Sequence, residues 1–269
     1  CIPTKTLLQS SELYREICDA ERFGISAENV RADLNDIQQH KQTTITILQK
    51  GIATLLKAAK VTVYQGLGTV IDTGNDDTSN DASGNEGIKQ VRITSSEADP
   101  VTIKTRQILL ASGSVPSVPP IPGHDLPGVM TSDELLSWDQ EPFSSLLIIG
   151  GGVIGVEFAG IWQALGTKVT ILEALPSLIA NMDKELGQSL KQSLKKKGAD
   201  IHTGAMVQSL ESTNEGILCT YTEKDTICTC TAQAVLIATG RRPYTDGLFA
   251  DDLAPSMERG RILTDEHFQ

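Results

Sequence analysis

The chain has 269 residues, a net charge of −11, and a composition that is 39% hydrophobic and 21% charged. This length suits one large or two ordinary globular domains. The negative charge gives no electrostatic support for binding nucleic acid. No apolar run approaches the roughly 20 residues that a membrane-spanning helix needs, and no signal peptide is recognisable in the sequence.

The sequence contains five cysteines, which are Cys1, Cys18, Cys219, Cys228 and Cys230. Their odd number and irregular spacing do not match the disulfide framework of a secreted protein. The four histidines show no metal-ligand spacing with them. We therefore expect Cys228 and Cys230 to be reduced, structural thiols in a cytoplasmic protein, and we expect no metal site.

The first part of the chain is predicted to be helical and then β-rich. Apolar residues at steps of three and four predict helices over 2–20 and 34–59. Alternation of apolar and polar residues then predicts short strands, at 61–65, 67–71, 88–94, 101–103 and 107–110. Residues 74–87, rich in Asn, Asp, Ser and Gly, are expected to form a mobile hairpin tip. The proline-rich segment 111–123 predicts an extended connector between domains.

A glycine-rich turn follows the apolar run that ends at Ile149. Gly150, Gly152 and Gly155 have the G-x-G-x-x-G spacing of a dinucleotide-binding turn. In such a motif the first glycine permits the tight turn, the second lets the backbone approach a pyrophosphate, and the third lets the helix pack on the strand. The helix N-terminus then offers N–H groups and a positive dipole end to the phosphates. The alternative is a βαβ unit whose glycine turn binds no ligand.

An acidic residue completes the dinucleotide motif. The strand 168–172 ends at Glu173, which lies 18 positions after Gly155. A carboxylate there accepts from a ribose 2′-OH and repels a 2′-phosphate. No basic residue follows before Lys184, so the sequence favours NAD(H) over NADP(H).

The remaining elements complete an α/β fold. A helix over 183–197 has acidic residues in its first turn and lysines in its last. Strands are predicted at 200–202, 205–211, 216–222, 226–231 and 234–238. The two similar segments that end in Gly113 and Gly240 bracket the glycine-rich unit, which predicts one domain inserted into another. We therefore expect a Rossmann-like, doubly wound nucleotide-binding domain with a β-meander.

Five segments of the chain resemble one enzyme family. Cys1-Ile-Pro-Thr-Lys5 resembles the redox-active segment of the class I pyridine nucleotide-disulfide oxidoreductases, also called flavoprotein disulfide reductases. The resemblance continues through Ala-Ser-Gly at 111–113, the proline-rich connector, the glycine turn at 150–157 and Ala-Thr-Gly-Arg-Arg-Pro at 238–243. It extends over essentially the whole chain. The Cys-Ile-Pro-Thr-Lys-Thr-Leu-Leu start and Glu173 are most similar to the dihydrolipoamide dehydrogenase branch.

The resemblance implies how the chain is divided and what is missing from it. Residues 1–115 would be a partial FAD-binding domain, 116–241 the NAD-binding domain, and 242–269 a return segment of the FAD-binding domain. In the family, an FAD-binding glycine turn and a first redox cysteine precede this region, and an interface domain with a His-Glu pair follows it. The chain has none of these, so we expect an internal fragment that is inactive alone.

The resemblance also assigns roles to individual residues. Cys1 would be the redox cysteine that faces the flavin, and its position at a helix N-terminus near Lys5 favours the thiolate. Lys5 would lie beside the flavin and Glu157 on the nicotinamide side, as an ion pair. On its sequence position alone, Glu157 is more simply a solvated carboxylate favoured by the helix dipole, and only the resemblance reverses this interpretation. The expected cofactor-binding residues are Ser112, Gly113, Gly150, Gly152, Val153, Ile154, Gly155, Glu157, Glu173 and Gly240.

Three functions remain open at this point. The first is an FAD-dependent, NAD-linked enzyme that oxidises dihydrolipoyl groups on an acyltransferase or carrier protein, with a homodimeric parent and no nucleic-acid or membrane partner. The second is an NAD-linked flavin reductase of the same family that acts on a metal ion or a small disulfide. The third, for the chain by itself, is a non-catalytic NAD-binding module.

Overall fold

The structure, a computed structural model, describes residues 1–74, 87–250 and 252–269. The helices are α1 (Ile2–Cys18), α2 (Leu34–Ala58), α3 (Ser132–Leu135), α4 (Val153–Ala164) and α5 (Lys184–Lys196), with a short 3₁₀ helix at Ala20–Phe23. The strands are β1 (Leu67–Asp72), β2 (Lys89–Thr94), β3 (Val101–Thr105), β4 (Ser114–Pro116), β5 (Val129–Thr131), β6 (Ser145–Ile149), β7 (Lys168–Glu173), β8 (Asp200–Thr203), β9 (Ala205–Thr213), β10 (Gly216–Glu223), β11 (Thr226–Ala232), β12 (Ala234–Ile237), β13 (Arg241–Pro243), β14 (Met257–Glu258) and β15 (Arg261–Ile262).

These elements form two compact units. The first unit comprises Cys1–Ala53 and Pro116–Gly240, and the second comprises Thr54–Val115 and Arg241–Gln269. Among the helices of the described ranges, none is both long enough and apolar enough to cross a bilayer.

The centre of the first unit is a five-stranded sheet in the order β5-β12-β6-β7-β8. All of its strand pairs are parallel. Strand β6 is apolar from Leu146 to Ile149 because both faces of this sheet are covered. Successive side chains of a strand point to opposite faces, so Leu146 and Ile148 join one core cluster while Leu147 and Ile149 join another.

Helices and a β-meander cover the two faces. On one face α4 packs against β6 and β7, α5 packs against β8, and α1 packs on α4. Buried Phe158 and Trp162 of α4 belong to this core. On the other face lies the antiparallel sheet β11-β10-β9, whose Leu210, Ile217 and Cys219 are buried with the second cluster. The expected Rossmann-like α/β fold with a β-meander is thus confirmed.

The second unit is built from small sheets. Strands β1, β2 and β3 form an antiparallel sheet in that order. Val70 of β1 also exchanges backbone hydrogen bonds with a later segment, donating to Leu248 and accepting from Ala250. The short strands β4 and β13 pair with each other, as do β14 and β15.

Two predicted strands are wrong. Residues 61–65 and 107–110 form no strand in the described ranges. Their side chains lie largely in solvent, with Val63 55% and Leu109 91% exposed, so no strand or core of the described part of the chain covers them. The predicted hairpin tip at 74–87 falls mostly on 75–86, outside the described residues.

The helix boundaries agree closely with the expected ones, but the domain assignment stays a prediction. The compact unit that holds the glycine turn also includes Cys1–Ala53, a segment that the resemblance assigns to a partial FAD-binding domain. The chain passes between the units three times, at 53–54, 115–116 and 240–241.

Candidate nucleotide-binding site

The glycine turn connects two neighbouring parallel strands. Strand β6 ends at Ile149, α4 begins at Val153, and β7 returns beside β6 with Ile149 opposite Leu172. The backbone N–H of Gly150 donates to the carbonyl of Leu172, at 2.8 Å. The predicted strand–turn–helix–strand crossover is therefore confirmed, and its turn lies at the carboxyl edge of the sheet, where open α/β sheets bind ligands.

Two of the three motif glycines are required by packing. Gly150 has φ +111°, and a Cβ there would collide with the carbonyl oxygen of Ala238. A Cβ on Gly155 would collide with the carbonyl oxygen of Gly150, because the helix begins directly against the turn. These contacts agree with the tight-turn and helix-packing roles expected for the two positions.

The remaining motif glycine, Gly152, has no such packing reason. Gly152 has φ −72°, which any residue adopts, and an added Cβ would meet nothing within 4 Å. Open space beside the backbone at the start of α4 is what a ligand that approaches the main chain requires. Its role in approaching a pyrophosphate stays a prediction.

Glu173 fastens the end of β7 to the glycine turn. Its Oε2 accepts from the Gly151 N–H at 2.5 Å, and its Oε1 accepts from the Leu175 N–H at 2.7 Å. An ionised carboxylate offers about four lone-pair sites, so these bonds leave acceptor capacity for a ligand hydroxyl. The backbone N–H groups of Gly151 and Leu175 thus hold the carboxylate of Glu173, the predicted ribose acceptor, in a fixed orientation.

Sequence reasoning missed Gly151. A Cβ at this position would collide with the Leu178 side chain and approach the carboxylate of Glu173. The carbonyl of Gly151 also accepts from the Ile179 N–H at 2.8 Å, which ties the segment after β7 to the turn. The run of three consecutive glycines at 150–152 was the available signal, since the motif itself specifies only two of them.

The first turn of α4 presents backbone donors beside the glycine turn. Val153 is 41% exposed, whereas Ile154 packs against the core cluster that contains Phe158 and Trp162. The first N–H groups of any helix lack intrahelical partners and carry the positive end of the helix dipole. This end of α4 can therefore bind an anionic group through its main chain.

Helices α1 and α4 bring Lys5 and Glu157 together. The Lys5 Nζ lies 2.5 Å from the Glu157 Oε1, so the ion pair expected from the resemblance is present. The lysine side chain is 56% exposed and the glutamate side chain 21%. Cys1 is an exposed residue that caps α1, and its carbonyl accepts from the Lys5 N–H at 3.0 Å.

The remaining candidate residues fall in different units. Gly240 of the first unit follows β12 with φ +130°, and its carbonyl accepts from the Ser117 N–H at 2.9 Å. Ser112 and Gly113 belong to the second unit, where both contact Tyr244. The Ser112 hydroxyl donates to the Tyr244 carbonyl at 2.7 Å, and the Gly113 carbonyl accepts from the Tyr244 N–H at 3.0 Å.

Comparison with known proteins gives one family match over the whole chain. The family model described as pyridine nucleotide-disulphide oxidoreductase matches residues 1–269. The dihydrolipoyl dehydrogenase of Bacillus subtilis is 32% identical over all of this chain and 56% of its own length. That of Acholeplasma laidlawii is 33% identical over all of this chain and 74% of its own length.

Solved structures give the same fold. The HOCl-induced flavoprotein disulfide reductase RclA from Escherichia coli, in a Cu(II) complex, is 26% identical with a TM-score of 0.75, over 98% of this chain and 52% of that one. LpdA from Mycobacterium tuberculosis is 23% identical with a TM-score of 0.82, over 98% of this chain and 54% of that one.

The chain spans about half the length of most of the curated relatives it matches. The family model nevertheless matches from the first residue to the last. The chain therefore belongs to the pyridine nucleotide-disulphide oxidoreductase family.

Proposed function

We propose that this chain binds NAD(H) at the turn between β6 and α4. The observation that carries the proposal is the position of Glu173, whose carboxylate ends β7 and lies 2.5 Å from the Gly151 nitrogen. A carboxylate there accepts from the adenine ribose and repels the 2′-phosphate of NADP(H). The absence of any basic residue between Glu173 and Lys184 in the sequence supports the same preference.

The local backbone fits the rest of the nucleotide. Open space beside Gly152 would admit the pyrophosphate to the main chain. The N–H groups at the start of α4, at Val153 and Ile154, would donate to its oxygens. Gly240, at the end of the neighbouring strand β12, would line the same edge of the sheet.

We further propose that the chain works within an FAD-dependent, NAD-linked enzyme that oxidises dihydrolipoyl groups. Relatives at 32% and 33% identity named dihydrolipoyl dehydrogenase support this substrate. Cys1 would be the thiol nearest the flavin, and Lys5, paired with Glu157, would place a cation beside it. Ser112 and Gly113 are proposed, from the resemblance, to contact a cofactor through their backbone. Bound FAD would supply the electron transfer between dithiol and nicotinamide, which these side chains cannot supply themselves.

Several proposals concern the longer enzyme. The chain spans about half the length of most matched relatives. We therefore propose that it is a fragment that binds the nucleotide but has no catalytic activity by itself. The complete enzyme would be a cytoplasmic homodimer that serves a lipoyl-bearing acyltransferase or carrier protein.

A second substrate class has one observation in its favour. The Escherichia coli reductase at 26% identity was solved as a Cu(II) complex. A same-family enzyme that reduces a metal ion or a small disulfide is therefore the alternative.

Calorimetric titration of the chain with NADH and NADPH tests the nucleotide proposal. We expect NADH to bind and NADPH to bind at least about tenfold more weakly, because of the Glu173 carboxylate. Equal affinity would contradict the role given to Glu173. NADH-dependent dye reduction by the chain with added FAD would contradict the proposal that it is inactive alone.

The substrate proposal needs the complete enzyme. NAD reduction by dihydrolipoamide should exceed, in kcat/KM, NADH oxidation by a small disulfide or by Cu(II). The reverse order would favour the alternative, whatever the outcome of the nucleotide titration.

A further inference from the structure

The β-meander places two cysteines directly opposite each other. Cys219 of β10 pairs with Cys230 of β11 in the antiparallel register. Residues opposite each other in such a pair have Cα atoms about 4.5 to 5.5 Å apart and side chains on one face. A disulfide usually has Cα atoms roughly 4.4 to 6.8 Å apart, so the facing register puts this pair within the range for a bond.

The third meander cysteine is less well placed. Cys228 lies opposite Tyr221 and two residues from Cys230. Its distance to Cys219 is the diagonal one, about 7 to 8 Å, which exceeds the range for a disulfide. The Cys228 thiol donates instead to the Thr226 carbonyl, at 3.7 Å. The register therefore selects Cys219 as the partner of Cys230.

The two paired thiols differ in access. Cys219 is fully buried, at 0% exposure, in the core between the meander and the parallel sheet. Cys230 packs against the edge of the same core and is only partly buried. A reagent in solution therefore reaches Cys230 first, and Cys219 lies behind it.

A histidine that is bonded to two carboxylates lies near this pair. The His202 Nδ1 is 2.8 Å from the Glu223 Oε2, and its Nε2 is 3.1 Å from the Asp200 Oδ2. Burial is the largest single effect and lowers the pKa of His202, but the two carboxylates together outweigh it, so that the pKa is raised. His202 therefore carries positive charge more readily than an ordinary histidine.

The charge distribution favours a thiolate at Cys230. The hydrogen bond from Cys219 is the largest cause that lowers the pKa of Cys230, and the His202 charge adds to it against burial and Asp200. The same hydrogen bond, followed by burial, raises the pKa of Cys219, which stays protonated as the donor. One thiol of the pair is thus the nucleophile and the other holds the proton.

We propose that Cys230 and Cys219 form a reversible redox modification site, in which Cys230 is the attacking thiol and Cys219 the resolving thiol for a low-molecular-weight disulfide. The site is separate from Cys1 and does not depend on the proposed function. It uses a feature of the meander, the facing register of β10 and β11, that nucleotide binding does not require.

The exchange balances in two steps. The Cys230 thiolate attacks one sulfur of the small disulfide, forming a mixed disulfide and releasing one small thiolate. This removes the negative charge that held the Cys219 proton, which passes to the released thiolate. The Cys219 thiolate then attacks the Cys230 sulfur, forming the Cys219–Cys230 bond and releasing the second small thiolate. The protein loses two electrons, which reduce one small disulfide to one thiol and one thiolate.

The test uses the chain with Cys1→Ser and Cys18→Ser, which removes the two exposed cysteines and leaves the three of the meander. The reduced protein is incubated anaerobically with oxidised glutathione, alkylated, and digested with trypsin without reduction. Cleavage at exposed Lys224 separates Cys219 from Cys230, so their bond appears as two linked peptides. We expect this link, with Cys228 alkylated, and full reversal by a dithiol reductant.

Matched variants assign the roles. Cys219→Ala should trap a stable glutathione adduct on Cys230, Cys230→Ala should abolish both link and adduct, and Cys228→Ala should leave the link unchanged. Alanine is used at Cys219 because serine would bury a hydroxyl there. If Cys219→Ala unfolds the chain, the Cys230→Ala variant still tests the role of Cys230. A link that includes Cys228, or reaction of Cys228 in preference to Cys230, would overturn the proposal.

Discussion

The carboxylate of Glu173 holds the glycine turn through Gly151, with 2.5 Å between Oε2 and the backbone nitrogen. Its other oxygen accepts from Leu175, so one side chain connects the end of β7 to the start of the crossover. The proposed ribose acceptor therefore also stabilises the turn, and its two roles predict different responses to substitution.

Replacing Glu173 separates these roles. Glu173→Ala removes both acceptors, and we expect a loss of about 1 to 3 kcal/mol in the free energy of unfolding together with weaker NADH binding. Glu173→Gln keeps one acceptor oxygen but removes the charge, so it should mainly narrow the difference in affinity between NADH and NADPH. Urea denaturation and calorimetry measure the two effects. If Glu173→Gln preferred NADH over NADPH as strongly as the unsubstituted chain does, the charge of Glu173 would not select the nucleotide.

Substitution of Gly152 should weaken NADH binding by at least about tenfold while the fold persists. An added Cβ meets nothing in the protein, but it occupies the space through which a pyrophosphate would approach the backbone. Gly152 is the N-cap of α4, so Gly152→Ala should cost less than about 1 kcal/mol of stability.

Gly152→Ser provides the matched control for this position. It adds the same Cβ but supplies a favourable N-cap hydroxyl, so it should be at least as stable as the alanine variant and still lose NADH. Unchanged affinity in both variants would mean that the nucleotide does not approach this backbone.

Gly155→Ala, unlike Gly152→Ala, should mainly destabilise the fold. The new Cβ collides with the Gly150 carbonyl, which is backbone and cannot rotate away. We expect a loss of about 1 to 3 kcal/mol in the free energy of unfolding, as overpacking typically costs. Thermal melts compare it directly with Gly152→Ala, and equal melting temperatures would contradict the packing role of Gly155.

The Lys5–Glu157 pair should contribute little to stability. The lysine side chain is 56% exposed, and exposed ion pairs contribute about 0.2 to 1 kcal/mol. A double-mutant cycle with Lys5→Met and Glu157→Gln measures the coupling by urea denaturation. A coupling free energy well above this range would make the pair a structural contact between α1 and α4, which would weaken its proposed role beside the cofactors.

The sequence predicted the crossover well because several independent signals coincide there. The apolar run before Gly150, the glycine spacing and the acid at Glu173 all require the same strand–turn–helix–strand arrangement. For residues 61–65 and 107–110 the only signal was the alternation of apolar and polar residues. That alternation indicates a half-buried segment but does not show which neighbouring strand would pair with it. Val63 and Leu109 remain exposed because no such partner lies beside them within the described ranges.

The facing cysteines could not be predicted because their register depends on a turn without a recognisable signature. Lys224 and Asp225 both adopt positive φ, +49° and +62°, to connect β10 and β11. Two-residue hairpin turns of this kind usually contain glycine or asparagine. A shift of one residue in the register would have put Cys230 opposite another residue, so only the structure reveals the pair.

The histidine bonded to Glu223 and Asp200 predicts a pH dependence with a definite sign. Because the pKa of His202 is raised in the folded chain above its ordinary value of about 6.5, its stabilising contribution is complete below that pH. The contribution is lost as the pH rises through the raised folded value. As the pH rises from about 6 through the raised folded pKa of His202, the urea midpoint of the unsubstituted chain should therefore fall more than that of the His202→Gln variant.

Titration of the histidine ring signals by NMR isolates the group responsible. Cys230 also faces this region, and its lowered pKa acts with the opposite sign at higher pH, so both measurements are best repeated in Cys230→Ala. Glu223→Gln should bring the His202 midpoint down, because it removes the shorter of the two carboxylate contacts, at 2.8 Å. A His202 midpoint below about 6.5 in the unsubstituted chain would mean that burial outweighs both carboxylates, and the contribution of His202 to stability should then fall rather than rise on acidification.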